Sequence, residues 1–205
     1  MKARLWPILL AGLLLISALS LPASAADVPF SDVADSAWYY ESVERVYEKN
    51  WMNGTGNDRF SPDDSLTRAM LAVILWRIEG SQDASRTVTF TDTSANAWYA
   101  DGLSWCAEKG LFAGYPNGSF GPDDAVTREQ LAIVFFRYAE KTGAVPSGQV
   151  GHATFKNGCP WAADACDWAN EHGLFTDAIG TLDLCAPASR AEIAYLLDQY
   201  FPSEA

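Results

Sequence analysis

The sequence predicts an all-α protein: three helix-loop-helix units joined in one pseudo-threefold domain, with their second helices meeting along a common axis. Two observations carry this expectation. Residues 30–80 lie over 90–140 without a gap, and 18 of 51 positions are identical. An apolar stripe at helical spacing also follows a hydroxyl-Arg pair three times, at Thr67-Arg68, Thr127-Arg128 and Ser189-Arg190. One such helix cannot bury its stripe alone, so three are expected to bury theirs together.

At the start of the chain, Lys2 and Arg4 precede an apolar run from Leu5 to Leu19, followed by Pro22-Ala23-Ser24-Ala25-Ala26. This order predicts a secretory signal peptide over residues 1–25. No later stretch approaches the roughly 18 to 20 apolar residues that a membrane span needs. The mature chain is therefore expected to be exported, with no membrane span. It carries 26 Asp plus Glu against 14 Lys plus Arg, a net charge of -12, and the predicted signal peptide contributes two of the cations and none of the acids. Nucleic acid is not an expected partner, because binding a phosphate backbone calls for a basic patch.

The units run over 26–83, 84–147 and 148–205, with polar, glycine-bearing linkers at 80–89 and 143–153. The third unit is degenerate. Phe155 begins it, and Trp161 and Trp168 correspond to Trp98 and Trp105. Gly173-Leu174-Phe175 corresponds to Gly110-Leu111-Phe112, but the Gly-Tyr-Pro-Asn-Gly loop and the Pro-Asp-Asp before the arginine are missing.

In each unit the first helix is expected to start near Trp38, Trp98 or Trp161. Tyr39, Val43, Val46 and Tyr47 form its stripe in the first unit. Asn50, Gly110 and Gly173 suit its C-terminal cap. The second helix carries Leu71, Ile74, Leu75 and Ile78, repeated as Leu131, Val134, Phe135 and Tyr138 and as Ile193, Leu196, Leu197 and Tyr200. Thr127 with Gln130 and Ser189 with Glu192 fit the capping box, whereas Met70 leaves Thr67 to cap alone.

Arg68, Arg128 and Arg190 then fall at the first helical position, where a cation opposes the helix dipole by ~0.3–1 kcal/mol. Hydrogen bonds to a charged partner are worth ~1.5–3 kcal/mol and would offset this. Two partners fit. Asp63-Asp64 and Asp123-Asp124 stand close by in sequence, or an external anion is held jointly by the guanidinium and the free helix N–H groups. Cys185 and Ala186 replace the acids before Arg190, so the acids do not account for all three arginines. On the external-anion reading, Arg128→Ala weakens binding and leaves stability nearly unchanged.

Four cysteines allow two disulfides in three pairings. Cys106 and Cys166 fall on apolar helix faces and are expected to pack as small hydrophobes. Cys159 and Cys185 lie in loops and are the pair expected if a disulfide forms. The linear spacings lack Cys-x-x-Cys or a nearby His pair, which argues against zinc, and the Asp-bearing loops lack the ligand order of a calcium loop. His152 falls in a linker and His172 aligns with Lys109. With no nucleophile motif or phosphate loop, neither an enzyme nor a cofactor is expected.

The segments FSDVADSAWYYESV…NGTGNDRFSPDDSLTRAM and FTDTSANAWYADGL…AGYPNGSFGPDDAVTREQ closely resemble S-layer homology repeats. The resemblance implies a three-pronged domain that binds secondary cell-wall polysaccharide non-covalently, often through the carboxylate of a pyruvate ketal. It places Arg68, Arg128 and Arg190 on that carboxylate. Asp32 and Asp92 become candidates for sugar hydroxyls or for holding the loop, and Trp38, Trp98 and Trp161 for stacking on sugar or packing at the hinge. Gly54 and Gly114 are the loop glycines where backbone approaches ligand. In the third unit, Lys156-Asn157 replaces the early Asp and leaves its groove in doubt. An envelope subunit that forms a lattice or binds other envelope proteins is the competing expectation.

Overall fold

The computed structural model describes residues 28–86, 89–143, 154–175 and 181–201. The predicted signal peptide, His152 and most of the second linker lie outside the described residues. Six α-helices dominate: α1 (Tyr40–Glu48), α2 (Arg68–Ile78), α3 (Ala100–Glu108), α4 (Arg128–Thr142), α5 (Ala163–Glu171) and α6 (Arg190–Tyr200). A short 3-10 turn, Pro160–Ala162, leads into α5. A two-residue parallel pair joins β1 (Phe155–Lys156) to β2 (Leu182–Asp183).

The local signals act where the sequence places them. Thr67, Thr127 and Ser189 cap α2, α4 and α6 through the N–H of Met70, Gln130 and Glu192, and the latter two helices complete capping boxes. Asn50, Gly110 and Gly173, just beyond the ends of α1, α3 and α5, adopt left-handed backbone with φ of 55°, 67° and 67°. Glycine reaches that region at no steric cost, and asparagine is among the few other residues that do so readily.

Helices also pair between segments, in an order the sequence did not predict. Each second helix packs closely on the first helix of the following segment, giving the pairs α2–α3 and α4–α5, and α6 returns to pack on α1. At that closing pair, the buried Asp198 of α6 accepts a bond from Ser42 Oγ at 2.9 Å and is ion-paired with Arg45. The stripes are buried as expected, with Leu71, Leu75, Leu131, Phe135, Ile193 and Leu197 at 0–1% exposure, and those of α4 and α6 meet each other, the rings of Phe135 and Tyr138 centred 5.0 and 5.5 Å from that of Tyr200. Cys106 and Cys166 are buried in this core.

The second helices also meet through their N-terminal ends. Isolated bridges join Thr67 to Ala125, Thr127 to Pro187 and Ser65 to Ser189, linking the three loops cyclically. The first two N–H groups of each helix donate to carbonyls of a neighbouring segment. Arg68 and Ala69 donate to Asp124 and Pro122, Arg128 and Glu129 to Ala186 and Leu184, and Arg190 and Ala191 to Asp64 and Pro62. Helix ends normally leave such donors orphaned. Here the adjoining chain occupies them, so they are not available to an external anion.

Candidate functional site

The arginines sit between segments. Arg68 donates from Nε to Phe120 O at 2.8 Å and from a terminal nitrogen to Ala113 O at 2.9 Å. Arg190 repeats this with Phe60 O and Asn53 O, both at 2.7 Å. Each guanidinium lies over the ring of the same Phe, at 4.7 Å from Phe120 and 4.6 Å from Phe60. Both residues are 4–6% exposed. Burial pulls both guanidinium groups below their ordinary pKa, opposed by Tyr115, Asp124 and Asp92 near Arg68 and by Asp64 and Asp32 near Arg190. Within the protein, the partner is one the sequence reading did not weigh. Two carbonyls of the adjoining loop take most of the hydrogen bonds, and acids reach Arg190 only from a distant part of the chain.

Arg128 is bound differently. It forms a bidentate pair with Glu192 at 2.8 and 2.9 Å and donates to Asp183 O at 3.0 Å. Its positive charge is matched inside the protein, so it is the least suited of the three to an external carboxylate.

The residue opposite each arginine is the third residue of the next second helix. Arg128 faces Glu192, Arg68 reaches Gln130 Oε1 at 3.4 Å, and Met70 occupies the matching position near Arg190. The grooves beside the arginines grade in the same order: about 10 Å³ beside Arg128, 160 Å³ beside Arg68 and 340 Å³ beside Arg190. The smallest groove is the one bridged by an ion pair, and the thioether of Met70 makes no hydrogen-bonded bridge to Arg190.

Each of the two open grooves has a second cation that the sequence reading missed. Arg137 lines the Arg68 groove with Gln130 and Trp161, and Arg77 lines the Arg190 groove with Met70 and Trp98. Arg77 is exposed and its side chain has no hydrogen bond or ion pair among the described residues, while the Arg137 side chain donates to Leu111 O at 3.3 Å. Both stand nine residues after the helix-start arginine, and Gln199 holds that place in α6. Their identity in the two aligned units was the available signal.

The other predicted residues are brought to these grooves in different ways. Asp32 accepts the N–H of Phe60 and Ser61 at 2.8 and 2.9 Å, and Asp92 those of Phe120 and Gly121, both at 2.7 Å. Of the two roles open to them, they hold the loop. Burial raises the Asp32 carboxyl, but its backbone bonds and Arg59 outweigh that and leave it below the ordinary range. For Asp92 the bond from Phe120 N–H is the leading cause of a lowered pKa.

Gly54 and Gly114 line the open grooves, yet their smallness already follows from packing. A Cβ on Gly54 would lie 2.6 Å from the Phe30 ring and 2.7 Å from Arg59 O, and one on Gly114 would lie 2.5 Å from the Phe90 ring. Trp98 and Trp161 are 64% and 60% exposed beside the open grooves. Trp38 is 40% exposed and packs edge-on against Tyr195 of the closed groove; Trp38, Tyr195 and Gln199 also line a separate surface depression of about 630 Å³ that does not include Arg128. His172 stacks on Trp168 at 4.8 Å, away from any groove. No disulfide is formed; the Cys159 and Cys185 sulfurs are 3.9 Å apart.

Two loop-and-helix segments thus share one construction: an early Asp, a Phe-backed glycine and a helix-start arginine clamping the next segment. Residues 29–70 and 89–132 match the S-layer homology domain family. The two matched segments carry the loops that border both open grooves. The chain is 33% identical to an endoglucanase of Bacillus sp. (strain KSM-635) over 66% of this chain and 15% of that protein. It is 33% identical to a cellulosome-anchoring protein of Acetivibrio thermocellus over 48% and 23%, and 30% identical to a cell surface protein of Thermoanaerobacter kivui over 85% and 21%. The chain therefore spans less than a quarter of the length of these relatives, and the endoglucanase match is too partial to carry an activity with it. Among the described residues, no helix is long and apolar enough to cross a membrane.

Proposed function

We propose that this chain is a non-covalent anchoring module of the bacterial cell surface, which binds an anionic secondary cell-wall polysaccharide. In this reading it comprises three S-layer homology repeats, the third degenerate, in one pseudo-threefold domain with three prongs formed by the helix pairs. The observation that carries it is the pair of open grooves, each combining a buried arginine, a second arginine and an exposed Trp. Two guanidinium groups suit a carboxylate such as that of a pyruvate ketal, and an indole face suits the apolar face of a sugar ring. Binding falls to the Arg68 and Arg190 grooves, while the Arg128 groove is neutralised by Glu192 and closed. Similarity to a cellulosome-anchoring protein and to a cell surface protein supports an envelope role.

Pull-down of the mature chain on wall sacculi, before and after chemical removal of the polysaccharide, tests this. Retention on intact sacculi only is expected, with loss in the Arg77→Ala, Arg137→Ala double variant. Equal retention on both preparations overturns the reading. Assembly of the chain without polysaccharide would instead support the lattice-forming alternative.

A further inference from the structure

Glu129, Cys159 and Cys185 place two sulfurs and a carboxylate oxygen within 4.8 Å of one another, outside the grooves. Glu129 is 6% exposed at the second position of α4, and none of the ion pairs among the described residues includes it. Its Oε2 accepts Cys159 N–H at 3.1 Å and lies 3.8 Å from Cys185 Sγ, and the two sulfurs are 3.9 Å apart. A buried carboxylate without a cation is costly, and here the groups that meet it are one backbone N–H and the Cys185 thiol, with the Cys159 thiol close by.

The internal repetition makes the trio specific to one junction. At the corresponding places the other two junctions hold Ala69 with Asn96 and Asp123, and Ala191 with Ser36 and Asp63. Three changes of residue type therefore converge on one spot although they are far apart in sequence, which is why linear spacing argued against a metal. Backbone contacts hold the trio in place. The β1–β2 pairing joins the two cysteine loops, and Glu129 N–H donates to Leu184 O, next to Cys185.

We propose that Glu129, Cys159 and Cys185 form a binding site for a thiophilic divalent cation of the zinc class. With Zn–S near 2.3 Å and Zn–O near 2.0–2.2 Å, tetrahedral geometry requires about 3.8 Å between sulfurs and about 3.5 Å between sulfur and oxygen. The sulfur–sulfur separation of 3.9 Å and the Cys185 sulfur–oxygen separation of 3.8 Å are within a few tenths of an ångström of these, and all three ligand atoms lie within 4.8 Å of one another. Binding releases both thiol protons to solvent, and the cation is shared among two thiolates and one carboxylate. The fourth position falls to water or to Asn157 O, which already lies against Cys185 Sγ.

The test is titration of the reduced mature chain with Co²⁺, then displacement by Zn²⁺. One equivalent of Co²⁺ giving a thiolate-to-metal charge-transfer band is expected. The band is expected to be lost in Cys185→Ser, with zinc affinity in Glu129→Gln lowered by more than the roughly 10- to 100-fold that loss of an outer-shell partner costs. Circular dichroism checks that each variant is folded, and Arg77→Ala should titrate as the parent does. Zinc should also slow oxidation of Cys159 and Cys185 to a disulfide, read by intact mass. Absence of stoichiometric binding, binding indifferent to both variants, or disulfide formation at the same rate with and without zinc overturns the proposal.

Discussion

Replacing Arg190 by Ala probes how the segments are held together. The substitution deletes two charge-assisted hydrogen bonds, to Phe60 O and Asn53 O, and the guanidinium over the Phe60 ring. Charged hydrogen bonds contribute ~1.5–3 kcal/mol each, and buried carbonyls left without donors cost a similar amount. Water entering from the adjoining groove recovers part of this, so a net loss of about 3 kcal/mol is expected. At roughly 2–4 °C per kcal/mol for a domain of this size, the melting temperature should fall by about 6–12 °C. Urea and thermal unfolding of Arg190→Ala beside Arg77→Ala, which lies at the same groove without a structural bond, make the comparison. A drop below about 2 °C for Arg190→Ala, or equal drops for both, refutes the clamp.

Other outcomes follow from the same geometry. Arg128→Ala should also destabilise by about 2–4 kcal/mol, because it strands Glu192, while leaving sacculus binding intact; calorimetry and pull-down check the two halves. Gly114→Ala should cost about 1–3 kcal/mol, since its Cβ meets the Phe90 ring at 2.5 Å, measured as a shift in the urea midpoint. The Asp32 and Asp92 carboxyls lie below their ordinary pKa, so their contribution is complete above about pH 4 and is lost as pH falls through the lowered folded value. The melting deficit of Asp92→Asn against the parent should therefore be largest near neutrality and shrink below pH 4; a deficit unchanged at pH 2.5 contradicts the loop-holding role.

What could be read from the sequence divides along the range of the interaction. Helix caps, ends and stripes depend on residues within one turn, and Thr127, Gly110 and Leu131 act where their spacing places them. The pairing of each second helix with a first helix was not legible, because alike units offer alike faces: nothing local tells α2 to pack on α3 of the next segment. The same exchange misled the reading of the arginines. The apparent control, Arg190 without acids before it, failed because the acids near Arg190 are Asp64 and Asp32 of the first segment. The residues that grade the grooves, Met70, Gln130 and Glu192, read in sequence only as variants of a capping box. Their second role, facing an arginine of the preceding segment, exists only in three dimensions.

That role gives the most direct test of polysaccharide binding by the open grooves. Met70→Glu with Gln130→Glu would copy into both grooves the pairing that Glu192 makes with Arg128, while keeping or completing the capping boxes. The double variant should melt at or above the parent's temperature and lose retention on wall sacculi. Retention at the parent's level by a folded double variant would contradict the account.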